Sequence, residues 1–164
     1  IFVEKSLGRK VKWHFIGRIQ RNKVKYIVGS VELIHSLDSI KVAEEINKRA
    51  DKLGIKVPVL IEVNAGEEYK GGVKFENVPE FIFELKKFPN IIVEGLMIMP
   101  PYFDDPEMAR PYYKNLRELQ DKLQKRHPNL RELSMGMSVD FEVAIEEGAT
   151  IVRIGTAIFG TRAQ

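Results

Sequence analysis

The sequence contains no cysteine among its 164 residues. This absence excludes disulfide bonds, a thiol nucleophile and a thiolate metal site. Histidine is also scarce, and the three that occur, His14, His35 and His127, form no close pair. No zinc or iron site is therefore predicted.

Long apolar runs and a dominant charge are missing as well. No stretch is long enough to span a membrane or has the pattern of a signal peptide, so the cytoplasm is the predicted location. The 26 basic and 23 acidic residues are interspersed and leave a net charge of +3. That bias is too weak to predict nucleic-acid binding, and a solvated helix face explains the basic cluster better than a phosphate patch does. The cluster consists of Arg18, Arg21, Lys23 and Lys25.

Apolar strand-like segments alternate with helical segments along the chain. Six strands are predicted, at about 12–16, 32–35, 57–63, 91–98, 130–133 and 150–154. Helices are predicted between them, at about 22–28, 40–53, 78–88, 106–127 and 139–147. This alternation predicts βα units, a mainly parallel sheet and a single domain over residues 1–164.

Two architectures fit this pattern. A (β/α)8 barrel has eight strands and usually ~250 residues, so length alone favours a doubly wound open sheet. The first strand is not followed by a G-x-G-x-x-G turn, however, which weakens the dinucleotide-binding form of the open sheet. The sequence begins at Ile1 without a methionine, and two further βα units upstream of Ile1 would reconcile six strands with a barrel.

Two small-residue turns near the C-terminus give the clearest functional signal. Met135-Gly-Met-Ser138 is predicted to open a helix, and Gly155-Thr156 follows the last strand. Backbone N–H groups at such turns lack partners and bind anions, and barrels commonly hold a phosphate at successive turns near the end of the chain. A phosphorylated cofactor or substrate is therefore predicted.

Each candidate residue also has a purely structural explanation. Ser138 is equally well placed to N-cap the helix after it, and Gly155 and Thr156 could serve only as a turn and a cap. Arg153 lies inside an apolar strand, where a charge is costly unless it is paired. It either pairs with a neighbouring acid or reaches a ligand, and the second alternative is favoured at the mouth of a barrel.

Two further polar residues are weighed in the same way. His14 lies among apolar neighbours, and a satisfied core histidine explains it better than a ligand contact does. Asn64 follows a central strand in a polar loop, where a functional position and an ordinary loop position both remain open.

Four motifs, taken together, resemble those of the YggS/PROSC family of pyridoxal-phosphate-binding proteins. They are Trp13-His-Phe-Ile-Gly-Arg-Ile-Gln-Arg-Asn-Lys23, Gly95-Leu-Met-Ile-Met-Pro100, Ser134-Met-Gly-Met-Ser-Val-Asp140 and Val152-Arg-Ile-Gly-Thr-Ala-Ile-Phe-Gly160. The resemblance runs from about Val11 to Arg162 in the same order and spacing.

The resemblance implies an α/β fold, a single-domain (β/α)8 TIM barrel of the alanine racemase N-terminal type. This sequence would supply about six of its βα units, the C-terminal three quarters of the domain. The Schiff-base lysine of the family and a Gly-Glu-Asn-Tyr-like turn would lie upstream of Ile1, and residues 1–10 would form the helix before the first motif. The resemblance assigns no catalytic residue and no metal to the present sequence.

The resemblance further implies that pyridoxal 5′-phosphate is the cofactor. The cofactor-binding residues it implies are Ser138, Arg153, Gly155, Thr156, Met137, His14 and Asn64. The two turns would hold the phosphate, and Arg153 would face the pyridine nitrogen. Because an arginine stays protonated, that nitrogen would accept its hydrogen bond and remain unprotonated, which weakens the ring as an electron sink.

The implied function is a role in vitamin B6 homeostasis, as a cofactor carrier or buffer without strong catalysis. The racemases of this fold take a second catalytic group from an extra C-terminal domain, which is not expected here because the sequence ends at Gln164, just after the last strand. The alternative is an enzyme on the same barrel, such as a weak amino-acid racemase. The expected protein is a monomer that serves apo-enzymes dependent on the cofactor and contacts neither nucleic acid nor membrane.

Overall fold

A parallel sheet of six strands, arranged in the order of the sequence, organises the fold. The computed structural model describes residue 8, residues 10–67 and residues 70–160. The helix expected over residues 1–10 falls almost wholly outside the described residues. The strands are β1 His14–Phe15, β2 Leu33–Leu37, β3 Val57–Val63, β4 Ile91–Ile98, β5 Glu132–Met137 and β6 Ile151–Arg153.

Helices follow the strands as the alternating pattern predicts. The α-helices are α1 Val24–Ile27, α2 Ile40–Leu53, α3 Val78–Leu85, α4 Arg110–Gln124, α5 Phe141–Glu146 and α6 Thr156–Phe159. Three 3-10 turns, Arg21–Lys23, Phe75–Asn77 and Pro106–Ala109, lead into α1, α3 and α4. The bounds of α2, β3 and β4 agree with the prediction. Gly54 ends α2 in the left-handed conformation, with φ of 63°, which favours glycine at that position.

The sheet is curled rather than open, and this curl confirms the partial barrel. The side chain of His35 on β2 forms a hydrogen bond of 2.8 Å with that of Ser134 on β5, although two strands separate them in the sheet. Likewise, Arg153 on β6 reaches the carbonyl oxygen of Ile98 on β4. Such cross-sheet contacts require a concave face, so the described strands form part of a barrel wall.

The two faces of the curled sheet differ in chemistry. The convex face packs against the helices around fully buried residues such as Ile34, Val59, Ile61, Leu96 and Ile98. The concave face carries a smaller apolar layer formed by Leu33, Leu60 and Met97 with Ile151. Because successive side chains alternate between faces, residues two positions further along a strand lie on the same face. On three of the strands these residues are polar and form a second layer. Its members on β2, β3 and β6 are His35, Glu62 and Arg153.

The segment around β5 corrects two predictions. Met135 and Gly136 belong to the strand rather than to a turn, and the helix begins at Phe141, with Asp140 at the N-cap position. Gly136 permits this course because its φ is 91°, and a Cβ atom there would lie 2.6 Å from that of Ala144. The strand therefore continues through a close approach to α5 that only glycine accommodates.

Candidate functional site

The candidate residues follow or end the strands of the sheet on its carboxyl edge. Ser138 follows β5, Arg153 ends β6, and Gly155 and Thr156 come directly after β6. Asn64 follows β3. In parallel α/β folds the carboxyl edge is where ligands bind, because loops of variable sequence converge there.

Ser138 joins the two C-terminal turns. Its Oγ accepts hydrogen bonds from the backbone N–H groups of Gly155, over 3.1 Å, and Ala157, over 3.2 Å. Within the described residues, the hydrogen bonds of the Ser138 hydroxyl go to the turn after β6, and α5 begins with Asp140 at its N-cap position. The N–H groups of Gly155 and Ala157 thus converge on one oxygen atom, and backbone donors arranged in this way suit a phosphate oxygen.

Arg153 is a largely enclosed cation whose hydrogen-bond partners among the described residues are neutral. Nη1 donates to Ser134 Oγ over 2.6 Å, and Nη2 donates to the carbonyl oxygen of Ile98 over 2.9 Å. Within residues 10–67 and 70–160 its guanidinium forms no ion pair with a carboxylate. Burial lowers the pKa of Arg153 from its usual value, while Tyr113, Asp140 and Glu62 oppose that change. An arginine nevertheless stays protonated, and within the described part of the chain three of its five N–H donors have no acceptor.

Three side chains extend from Arg153 across the concave face. Ser134 Oγ lies 2.8 Å from His35 Nδ1, and His35 Nε2 lies 3.0 Å from His14 Nδ1. Ser134 and His35 are buried, whereas His14 on β1 is exposed. Burial, with smaller contributions from His14 and Arg153, lowers the pKa of His35 to about 4, so its imidazole is neutral near pH 7. His14 is thus linked to Arg153 through two buried groups.

Asn64 and Met137 each have a local partner. Asn64 Nδ2 donates to the carbonyl oxygens of Glu67, Lys70 and Gly71, and its Oδ1 accepts from the N–H groups of Gly66 and Glu67. Its amide therefore holds the loop after β3 in shape. The backbone N–H of Met137 donates to Asp140 Oδ1 over 2.7 Å, which fixes the chain just before Ser138. Their roles in cofactor binding stay predictions.

A cavity of about 170 Å³ adjoins the carboxyl ends of β1 to β4. Two cations, Arg18 and Lys70, and two acids, Asp38 and Glu62, line it together with apolar side chains. Burial raises the pKa of the Glu62 carboxyl, and neighbouring Asp38 raises it further, whereas Arg153 and Arg18 lower it. The cavity therefore combines charges of both signs with an apolar lining.

The sequence interpretation missed His35 and Ser134 as parts of the site. A usable signal was present, since His35 lies two residues beyond Leu33 in β2 and therefore shares the concave face. Ser134 stands in the third motif, but its contact with β2 depends on the curl of the sheet. Among the described residues, no group of three or more histidine, aspartate or glutamate side chains is placed to hold a metal ion.

Across the helices that the structure describes, none has both the length and the apolar character needed to cross a membrane.

Comparison with known proteins gives a consistent result. The sequence model of the family described as "Alanine racemase, N-terminal domain" matches residues 5–163. The "Pyridoxal phosphate homeostasis protein" of Aquifex aeolicus is 60% identical over 154 residues, which cover 93% of this chain and 68% of that protein. The chain thus spans about two thirds of the length of this relative.

Solved structures show the same relationship. PipY of Synechococcus elongatus, determined with PLP bound, superposes with a TM-score of 0.84 at 29% identity, covering 96% of this chain and 74% of PipY. Alanine racemase of Clostridium difficile superposes with a TM-score of 0.78 at 20% identity, covering 99% of this chain and 43% of the racemase. The second similarity concerns the fold alone.

Proposed function

This chain belongs to the alanine racemase N-terminal domain family and, within it, to the pyridoxal phosphate homeostasis proteins, and on that premise we propose that it binds pyridoxal 5′-phosphate and buffers or supplies this cofactor. The resemblance to the YggS/PROSC proteins is thereby confirmed at the level of the family. The name of the Aquifex aeolicus relative and the PLP bound to PipY both support the proposal.

The single observation that carries the proposal is the convergence of donors on Ser138 Oγ. A serine oxygen there accepts from the N–H groups of Gly155 and Ala157, so a phosphate oxygen can occupy an equivalent position. No described residue comes within 4 Å of a Cβ atom added to Gly155, which supports room for a ligand on this side of the turn. The residues present therefore fit the phosphate group of the cofactor.

We assign the following roles to the residues of the site. The hydroxyl groups of Ser138 and Thr156 and the backbone N–H of Gly155 would hold the phosphate. Arg153, with three unused N–H donors, would donate to the pyridine nitrogen and keep it unprotonated. Met137, His14 and Asn64 would support the site through the contacts described above.

The bound cofactor supplies an electron sink for reactions at amino-acid carbons, and its ring nitrogen largely determines how strong that sink is. Arg153 limits it, because a guanidinium does not give up its proton to the ring. This supports a carrier or buffer over a weak amino-acid racemase. We further propose that the protein acts in the cytoplasm, as a monomer, and passes the cofactor to apo-enzymes that require it.

The proposal is tested by equilibrium dialysis of the chain against pyridoxal 5′-phosphate, with inorganic phosphate and pyridoxal as competitors. We expect binding at micromolar concentrations that phosphate weakens. Absence of binding, or stronger competition by another phosphorylated metabolite, would overturn it. Incubation with an amino acid in deuterated water addresses the racemase alternative, because a carrier leaves the α-hydrogen unexchanged.

A further inference from the structure

Arg153 is held by two residues to which the proposed function gives no role. Ser134 accepts its Nη1–H, and His35 contacts the other side of the same hydroxyl. Ser134 is fully buried and His35 is only 1% exposed. Neither side chain is therefore available to contact a ligand in the mouth directly.

The direction of these hydrogen bonds follows from their chemistry. A guanidinium has donors only, so Ser134 Oγ must accept from Arg153. A buried hydroxyl also needs an acceptor for its own proton, and His35 Nδ1, at 2.8 Å, is the partner placed to accept it. His35 Nδ1 is then unprotonated, and Nε2–H donates to His14 Nδ1. Every donor in the chain Arg153–Ser134–His35–His14 consequently points away from Arg153.

This ordered chain restricts where the guanidinium can lie. Together, Ser134 Oγ on β5 and the Ile98 carbonyl on β4 occupy one N–H of each terminal nitrogen. The planar group is thereby fixed in two directions, and its remaining three N–H groups keep a constant orientation. If the hydroxyl proton of Ser134 had no acceptor, the hydroxyl group would rotate, and its proton would compete with the N–H of Arg153 for the space between them.

We infer that Ser134 and His35 are positioning residues that orient Arg153 toward the ring nitrogen of the bound cofactor. The inference rests on the proposed function and deepens it, since it names how the site recognises the ring rather than the phosphate. Ser134 supplies the acceptor for Arg153, and neutral His35 supplies the acceptor for Ser134.

The test compares pyridoxal 5′-phosphate with an analogue in which a C–H group replaces the ring nitrogen. The full chain and its Ser134→Ala variant are dialysed against each ligand. We expect Ser134→Ala to weaken binding of the natural cofactor about tenfold, the effect of one hydrogen bond involving a charged group. Binding of the analogue should not change, because it offers Arg153 no acceptor. Equal losses for both ligands, or no loss for either, would overturn the inference.

Ser36→Ala is the matched control. Ser36 is also a buried serine, 2% exposed, but its hydroxyl donates to the carbonyl oxygen of Gly17 on the other side of β2. This variant should bind both ligands as the unaltered chain does. If the unaltered chain binds neither ligand, the proposed function fails, and that result is distinct from a failure of the positioning role.

Two variants of His35 keep the test decisive should Ser134→Ala not fold. His35→Asn retains an acceptor oxygen near the position of Nδ1, whereas His35→Leu removes it. We expect the selective loss with His35→Leu and recovery of most of the affinity with His35→Asn. Similar affinity in the two variants for the natural cofactor would contradict the role of His35.

Discussion

The Oγ of Ser138 lies 3.1 Å from the backbone nitrogen of Gly155 and accepts its hydrogen bond. This contact joins the turn after β5 to the turn after β6, so the two ends of the proposed phosphate site are held together before any ligand arrives. A preformed arrangement of donors needs little reordering when the anion binds.

Replacement of Ser138 tests this arrangement. Ser138→Ala removes a hydroxyl donor to the phosphate and the contact that aligns the N–H groups of Gly155 and Ala157. We expect affinity for pyridoxal 5′-phosphate to fall about tenfold or more, as for the loss of a hydrogen bond to a charged group. Thr156→Ala should weaken binding in the same direction. Pyridoxal, which lacks the phosphate, should bind the variants and the unaltered chain alike, and Ser30→Ala, in an exposed turn, should change neither affinity.

Replacement of Arg153 provides a second prediction, in which cofactor affinity falls while the free energy of unfolding does not. Its charge is largely enclosed and has no carboxylate partner among residues 10–67 and 70–160, and such a charge usually lowers stability. Arg153→Met should therefore leave the free energy of unfolding within about 1 kcal/mol of the original value, or raise it, while cofactor affinity falls. Urea unfolding and dialysis measure the two quantities. A marked loss of stability with unchanged affinity would instead make Arg153 a structural residue.

Much of the fold was predictable because its signals are local. The bounds of α2, β3 and β4 followed from near-continuous apolar runs and from Gly54. The start of α5 was not predictable in this way. Gly136 resembles a turn residue in sequence, but it lies in a strand, where the backbone closely approaches Ala144. That approach depends on how α5 packs on the sheet, which local patterns do not describe.

The candidate site was likewise predictable from the sequence only in part. Ser138 and Gly155 were predictable as members of turns and Arg153 as a charge inside an apolar strand, and the resemblance added the pyridine nitrogen as the expected partner of Arg153. The sequence could not show that Ser138 contacts the turn after β6 or that His35 approaches Ser134, 99 residues away along the chain. Both contacts arise from the curl of the sheet.

His35 predicts a dependence of stability on pH. Its folded-state pKa of about 4 lies below the usual value of 6.5, so the unfolded chain takes up a proton first as the pH falls. The stability due to neutral His35 is present above pH 6.5 and is progressively lost down to pH 4. Urea unfolding at pH 7 and pH 4.5 should show a smaller decrease for His35→Asn than for the unaltered chain. Burial raises the pKa of Glu62, so this carboxyl favours the folded state increasingly as the pH falls. Glu62 is present in both His35→Asn and the unaltered chain, so its contribution cancels when the two are compared. Equal decreases in the two proteins would mean that His35 titrates normally.

Gly95 should be essential for the pairing of β4 with β5. It lies opposite Glu132 in the sheet, and a Cβ atom at this position would come within 1.9 Å of the Glu132 carbonyl oxygen. Since a backbone atom cannot move aside as a flexible side chain does, Gly95→Ala should lower the free energy of unfolding by about 3 kcal/mol or more, near the upper end for single substitutions. Gly17→Ala is the control, because its nearest contact would be an ordinary one of 3.5 Å with the ring of Phe15. Urea denaturation of both variants gives the comparison. If Gly95→Ala were no less stable than Gly17→Ala, the close approach of β4 and β5 at this point would be incorrect.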